Sequence, residues 1–110
     1  MKKVVTFNAD KPLEQTVSVL PYLKTTQVVI QGYDVNGDPN NGTESDVEIL
    51  VSPYFVGDES GGVVSSATLN GQSSRRHLYE SHSLDNIRLA LNGASFPTDL
   101  SKLEVTIYQS

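Results

Sequence analysis

The chain is 110 residues long, carries a net charge of −5 and contains no cysteine. That length suits one domain and buries roughly two-thirds of the unfolded surface, so a single core can form without staples. The lack of cysteine excludes a disulfide framework, a thiolate metal site and a cysteine nucleophile, and the acidic balance argues against a nucleic-acid partner bound by neutralising phosphates.

Met1-Lys2-Lys3 resembles the start of a signal peptide, but the apolar run Val4-Val5 stops at Thr6, and no apolar stretch of about 7–15 residues follows. Nowhere do the ~20 apolar residues of a membrane helix accumulate. The expectation is a complete protein made in a cytosol, with no membrane partner.

From there the dominant periodicity is two. Strands are predicted over about 2–8, 14–20, 26–34, 46–56, 62–69, 75–80, 86–92 and 102–109. Val17 and Val19 flank Ser18, and Val28 and Ile30 flank Val29. Val47, Ile49 and Val51 alternate with Glu48, Leu50 and Ser52; Ile87, Leu89 and Leu91 alternate with Arg88, Ala90 and Asn92. Leu103, Val105 and Ile107 alternate with Glu104, Thr106 and Tyr108. Successive strand side chains point to opposite faces, so each run buries one face and wets the other. β-branched residues and short runs favour strand over helix.

Turn chemistry agrees. Asn-Gly occurs at 36–37, 41–42, 70–71 and 92–93, a pair that tolerates positive φ. Pro12, Pro21, Pro39, Pro53 and Pro97 mark breaks or edge positions. The long irregular stretch Gly32–Ser45 reads as the tip of a hairpin between the third and fourth strands, and as a contact element. Pro97–Leu103 reads as a single helical turn capped by Thr98 or Ser101. The expected fold is all-β: one domain over 1–110, an antiparallel β-sandwich or jelly roll of about eight short strands. Topological habit pairs the first strand with the last.

Five groups of residues could carry chemistry. Asp34-Val35-Asn36-Gly37-Asp38 opens like a D-x-N-x-D calcium loop, whose alternate positions supply hard oxygens. Pro39 then stands where glycine belongs, Ser45 stands where the bidentate glutamate belongs, and a strand follows in place of a helix. The remaining calcium option is a different site using Asp34, Asn36 and Asp38 with Glu44 or Asp46; the plainer reading is a solvated acidic turn. Gly57-Asp58-Glu59-Ser60-Gly61-Gly62 is similar to a serine-protease nucleophile loop, but Glu59 is inserted and both histidines follow the serine.

His77 and His82, near Glu80 and Asp85, are five residues apart, which suits neither one strand face nor a helical metal pair. Arg75-Arg76 is a guanidinium pair able to dock on a carboxylate-rich neighbour. The aromatics Tyr22, Tyr33, Tyr54, Phe55, Tyr79 and Tyr108 suit a protein interface better than a sugar platform, since tryptophan is absent. Asn41-Gly42-Thr43 fits a glycosylation pattern that means little without secretion. No G-x-G-x-x-G and no P-loop lysine is present. No cofactor is expected, and binding is the default role.

Asp85-Asn86-Ile87-Arg88-Leu89-Ala90-Leu91-Asn92-Gly93, a short loop and then Leu103-Glu104-Val105-Thr106-Ile107-Tyr108 resembles the last hairpin of small all-β structural proteins of tailed bacteriophages. In those, an "x-I/V-R-hydrophobic-x-hydrophobic-x-G" strand precedes a terminal "V-T-hydrophobic" strand. The resemblance implies a non-enzymatic virion protein: a head decoration (cement) protein bridging capsid subunits, or a fibre or tail piece. Its partners would be the major capsid protein or other virion proteins, and its state monomer or homotrimer. The residues expected to make contacts are Lys2, Lys3, Tyr33, Asp34, Asn36, Asp38, Arg75, Arg76 and Tyr108, within the segments Lys2–Asp10, Gly32–Ser45 and Arg75-Arg76. The alternative is a ligand-binding β-sandwich module for glycan or calcium, such as a fibre or adhesin domain.

Overall fold

The computed structural model describes residues 1–39, 47–56, 65–69, 75–80, 84–93 and 95–110, with the backbone alone described at 47–48, 55, 65–69 and 75–80. Eight strands run through these residues: β1 (Lys2–Phe7), β2 (Glu14–Ser18), β3 (Thr25–Tyr33), β4 (Val47–Phe55), β5 (Ser65–Leu69), β6 (Arg75–Glu80), β7 (Leu84–Leu91) and β8 (Lys102–Gln109). β3 shows why alternation was sufficient to find them. Thr26, Val28 and Ile30 are buried while Thr25, Gln27, Val29 and Gln31 are half-exposed, as a pleated strand with one wetted face requires.

The strands form two four-stranded sheets, ordered β1-β8-β3-β6 and β2-β7-β4-β5, with antiparallel pairing throughout. This is the strand order of a jelly roll. First and last strands pair, from Lys2↔Tyr108 to Phe7↔Leu103. The core lies between the sheets. Phe7, Val28, Ile30, Val105 and Ile107 from the first sheet face Ile49, Val51, Ile87 and Leu89 from the second, all fully buried. Each contributes about 1.5–3 kcal/mol of burial, and together they hold the sheets face to face.

Three local expectations are corrected. β3 and β4 are not a hairpin: β3 lies between β8 and β6, and β4 between β7 and β5. The chain folds back after β3 only as far as a bridge between Tyr33 and Pro39, and β4 belongs to the opposite sheet. β7 and β8 are likewise in opposite sheets, so the C-terminal segment is a crossover and not a hairpin. The segment Pro97–Leu103 contains no helical turn. Thr98 and Asp99 form a turn, and β8 has begun by Lys102. Here the physical cause is burial: Phe96 and Leu100 are both drawn into the core at the end of the sandwich, and the Ser101 amide donates to the Tyr33 carbonyl at 2.8 Å. The chain is thereby pulled straight onto the sheet.

Side chains stitch the sandwich along one side, where β1 and β2 are the edge strands of the two sheets. The Gln15 amide donates to the Thr6 carbonyl at 2.9 Å, and the Lys3 ammonium donates to the Ser18 carbonyl at 2.6 Å. These contacts occupy edge carbonyls that would otherwise be open to a foreign strand. A buried glutamine does similar work in β8. Gln109 accepts from the Leu20 amide at 2.8 Å and donates to the Leu20 carbonyl at 3.1 Å and the Thr26 hydroxyl at 3.0 Å.

Candidate interaction surface

The outward face of the β1-β8-β3-β6 sheet is built from the wetted positions of its strands. Across β1, β8 and β3 the register aligns Lys2, Tyr108 and Gln27 in one row, Val4, Thr106 and Val29 in the next, and Thr6, Glu104 and Gln31 in a third. Tyr33 pairs with Lys102 at the far end. Val4 is 51% exposed and Tyr108 42%, although both are large hydrophobic side chains, so two adjacent rows of this face each leave one such side chain open to water. β6 completes the sheet, with Arg76 registered against Val29 and Arg75 against Ile30.

Each end of the face carries a lysine beside a tyrosine ring. The Lys2 ammonium lies 5.8 Å from the Tyr108 ring centroid, and the Lys102 ammonium 4.9 Å from that of Tyr33; both are within cation–π range. Lys102 also pairs with Glu104 at 2.9 Å. The lysine side chain is 42% exposed and the glutamate 27%, so the glutamate is the more buried partner. Between Lys2, Thr25, Gln27 and Tyr108 the surface dips into an open depression of about 540 Å³.

The acidic turn continues from the Tyr33 end of this face. The Asp34 carboxylate oxygen Oδ1 accepts from the amides of Asn36 at 2.9 Å and Asp38 at 3.1 Å. Gly37, at φ +83°, donates its amide to the Asp34 carbonyl, a conformation that glycine adopts freely. The Ser101 hydroxyl donates to the same Asp34 carbonyl at 2.6 Å. Asp34 is thus a turn-building side chain of the Asx type. Among the described residues, no three His, Asp or Glu side chains gather to hold a metal. Glu44 and Asp46 lie outside the described residues.

The structure therefore places Lys2, Tyr33 and Tyr108 on one face and the Asp34–Asp38 turn at its rim. Lys3 is directed elsewhere, to the β2 edge. Arg75 and Arg76 sit on the adjoining strand, with their side chains outside the described set. Of the other candidates, Gly57–Gly62, Asn41–Thr43 and His82 lie outside the described residues. His77 and Glu80 are on β6 and Asp85 on β7, in opposite sheets. Tyr22 is exposed in the β2–β3 turn, and Tyr54 faces outward from the second sheet, where the Arg88 guanidinium lies 6.0 Å from its ring and 3.9 Å from Glu14.

No family model and no curated protein matches the chain. Solved structures do share its fold. A protein from Sulfurospirillum deleyianum aligns over 100% of this chain and 98% of its own, at 10% identity and a TM-score of 0.55. The Yersinia pseudotuberculosis-derived mitogen aligns over 97% of this chain and 82% of its own, at 10% identity and a TM-score of 0.51. A chain of the native-like genome-containing DWV particle aligns over 98% and 73%, at 8% identity and a TM-score of 0.50. At such identities the likeness is one of fold alone.

Sequence reasoning missed Val4, Glu104 and Lys102 as members of this face. The period-two pattern of β8 contained the signal for two of them, since Lys102 and Glu104 fall in the same phase as Tyr108. Val4 carried no signal, because it is apolar and occupies a wetted position that only the register with Thr106 reveals.

Proposed function

We propose that this chain is a non-enzymatic structural protein of a phage virion, a capsid decoration protein that docks through the outward face of its β1-β8-β3-β6 sheet and bridges capsid subunits. The observation that carries this reading is the exposure of Val4 and Tyr108 in adjacent rows of this face, with lysine–tyrosine pairs at Tyr108 and at Tyr33. Protein interfaces combine aromatic anchors and aliphatic surface with a polar rim in this way. The jelly roll is a fold of viral capsid domains as well as of lectins, and it supports the reading as fold-level analogy only.

In mechanism, the protein would bury this face across a junction between shell subunits. Occupancy at about 100 times Kd adds roughly 2.7 kcal/mol to the bound, intact form. A monomer suffices for this; a homotrimer would repeat the contact around a cyclic axis. The test is co-sedimentation of the purified protein with empty capsids of the source phage, together with its detection in purified virions. Binding to shells and a higher rupture temperature are expected. Absence from virions and no binding to shells would refute the proposal, and selective retention on a glycan array would favour the ligand-binding module instead.

A further inference from the structure

Going beyond that reading, we infer that the free edge of β1 is a pairing surface for a second copy of this chain, joined antiparallel about a two-fold axis at Val4. β1 is an edge strand, with β8 on one side only. The Gln109 amide donates to the Met1 carbonyl at 2.8 Å. Together with the register Lys3↔Ile107, Val5↔Val105 and Phe7↔Leu103, this turns the peptide groups of the odd-numbered residues toward β8. Bonding direction alternates along an antiparallel strand, so the peptide groups of Lys2, Val4 and Thr6 point away from the sheet. Among the described residues, the Gln15 amide alone reaches this row, at the Thr6 carbonyl, and that oxygen keeps a second lone pair. Lysines often blunt such an edge, but neither lies across this one. The Lys2 ammonium turns back over the Tyr108 ring, 5.8 Å from its centroid, and the Lys3 ammonium is held on the Ser18 carbonyl. The Val4 side chain is left more than half exposed.

The occupant follows from the sequence of the edge itself. When two copies of β1 pair antiparallel, outward peptide groups must meet outward peptide groups, so even-numbered residues face even-numbered ones. An axis at Val4 sets Val4 against Val4 and Lys2 against Thr6, and each facing pair exchanges both N–H···O bonds. Lys3 then faces Val5, so no lysine faces a lysine, and the exposed valines cover each other as a cross-strand pair. Moving the axis to Lys3 would set Lys3 against Lys3, a like-charged pair that destabilises. Moving it to Val5 would set Lys2 against Asn8, which lies beyond the strand and whose carbonyl already accepts from the Lys11 amide. One register is thus favoured, and a strand of unrelated sequence has no reason to match it. Charge does not drive the pairing: Glu104 is already paired with Lys102, and the −5 on each copy opposes association. A single strand pair also stands at the small end of interfaces, under about 1,200 Å², so the dimer is weak and in exchange with monomer.

The test is sedimentation equilibrium of the full chain from about 10 μM to about 1 mM, the range in which weak pairing is populated. A monomer–dimer equilibrium is expected, with the mass rising toward twice 12.0 kDa. Val4→Pro removes the outward N–H without breaking a bond to β8, a placement that proline tolerates on an edge strand, and should weaken the dimer at least about tenfold. Val4→Lys and Val4→Glu each set like charges face to face across the axis and should each lose about tenfold. Mixed in equal amounts, these two variants should recover a heterodimer, which a contact away from the axis would not do. Should circular dichroism show the proline variant unfolded, the lysine–glutamate mixture decides. A monomer throughout the range, a trimer in place of the dimer, a dimer unchanged by Val4→Pro in folded protein, or no recovery on mixing would each overturn the inference. The measurement contains no capsids, so it can fail while co-sedimentation succeeds, and the reverse.

Discussion

Replacing Gln109 with alanine removes a side-chain amide that is 5% exposed and makes three hydrogen bonds. It strands the amide and carbonyl of Leu20 and the hydroxyl of Thr26, which is itself 1% exposed. A buried polar group left unsatisfied costs about 1–3 kcal/mol. Leu20 is half-buried, so water can satisfy part of its loss, while Thr26 has no such relief. Taken together, the substitution should cost about 3 kcal/mol. That is a large share of the roughly 5–15 kcal/mol that stabilises a domain. At this length it lowers Tm by about 12 °C, and with a urea slope near 2 kcal/mol/M it moves the midpoint down by about 1.5 M. Urea unfolding followed by circular dichroism and by tyrosine fluorescence would measure it. Gln109→Met keeps the length and removes the polar atoms, so it should retain most of the loss, about 2 kcal/mol. A double-mutant cycle with Thr26→Val should give a coupling of about 1 kcal/mol. A methionine variant as stable as the original chain would refute the hydrogen-bond reasoning.

Two further outcomes follow from the core and the acidic turn. Leu89→Ala opens a cavity at a fully buried position on β7 and should cost about 2–5 kcal/mol with an unchanged urea slope; a loss under about 1 kcal/mol would mean the sheets do not pack as described. At Asp34, asparagine presents the same acceptor oxygen to the Asn36 and Asp38 amides and should stay within about 0.5 kcal/mol, whereas alanine should lose about 1–2 kcal/mol. Thermal melts with and without calcium complete that test: a calcium-dependent rise in Tm lost in Asp34→Ala would replace the turn-building role with a metal site.

How legible the site was depended on the kind of information each residue needed. Tyr108 was placed on the wetted face of the last strand by its phase against Leu103, Val105 and Ile107, and the structure finds it there. Lys2 and Tyr33 were singled out by segment, without any means of knowing that β8 would seat them on one face. The amides of Gln109 and Gln15 left no trace in the pattern, because a buried glutamine that hydrogen-bonds to distant backbone has no sequence periodicity. The D-x-N-x-D spacing offered either oxygen donors for calcium or a solvated acidic turn; what it did not reveal is that Asp34 uses its oxygen on the amides of its own turn.

Alternation of aliphatic and polar residues, interrupted by Asn-Gly and proline, determined by itself that this chain is all-β, where most strands begin and end, and which of their faces are apolar. These are local properties, dictated by the pleat and by backbone torsions that each residue carries with it. Which strands lie side by side, that β3 and β4 part to opposite sheets, that Phe96 and Leu100 are drawn into the core, and that Val4 comes to lie against Thr106 were decided only in the tertiary structure. Those outcomes depend on contacts between residues far apart in the chain, and many pairings of equally apolar strands satisfy the same local pattern.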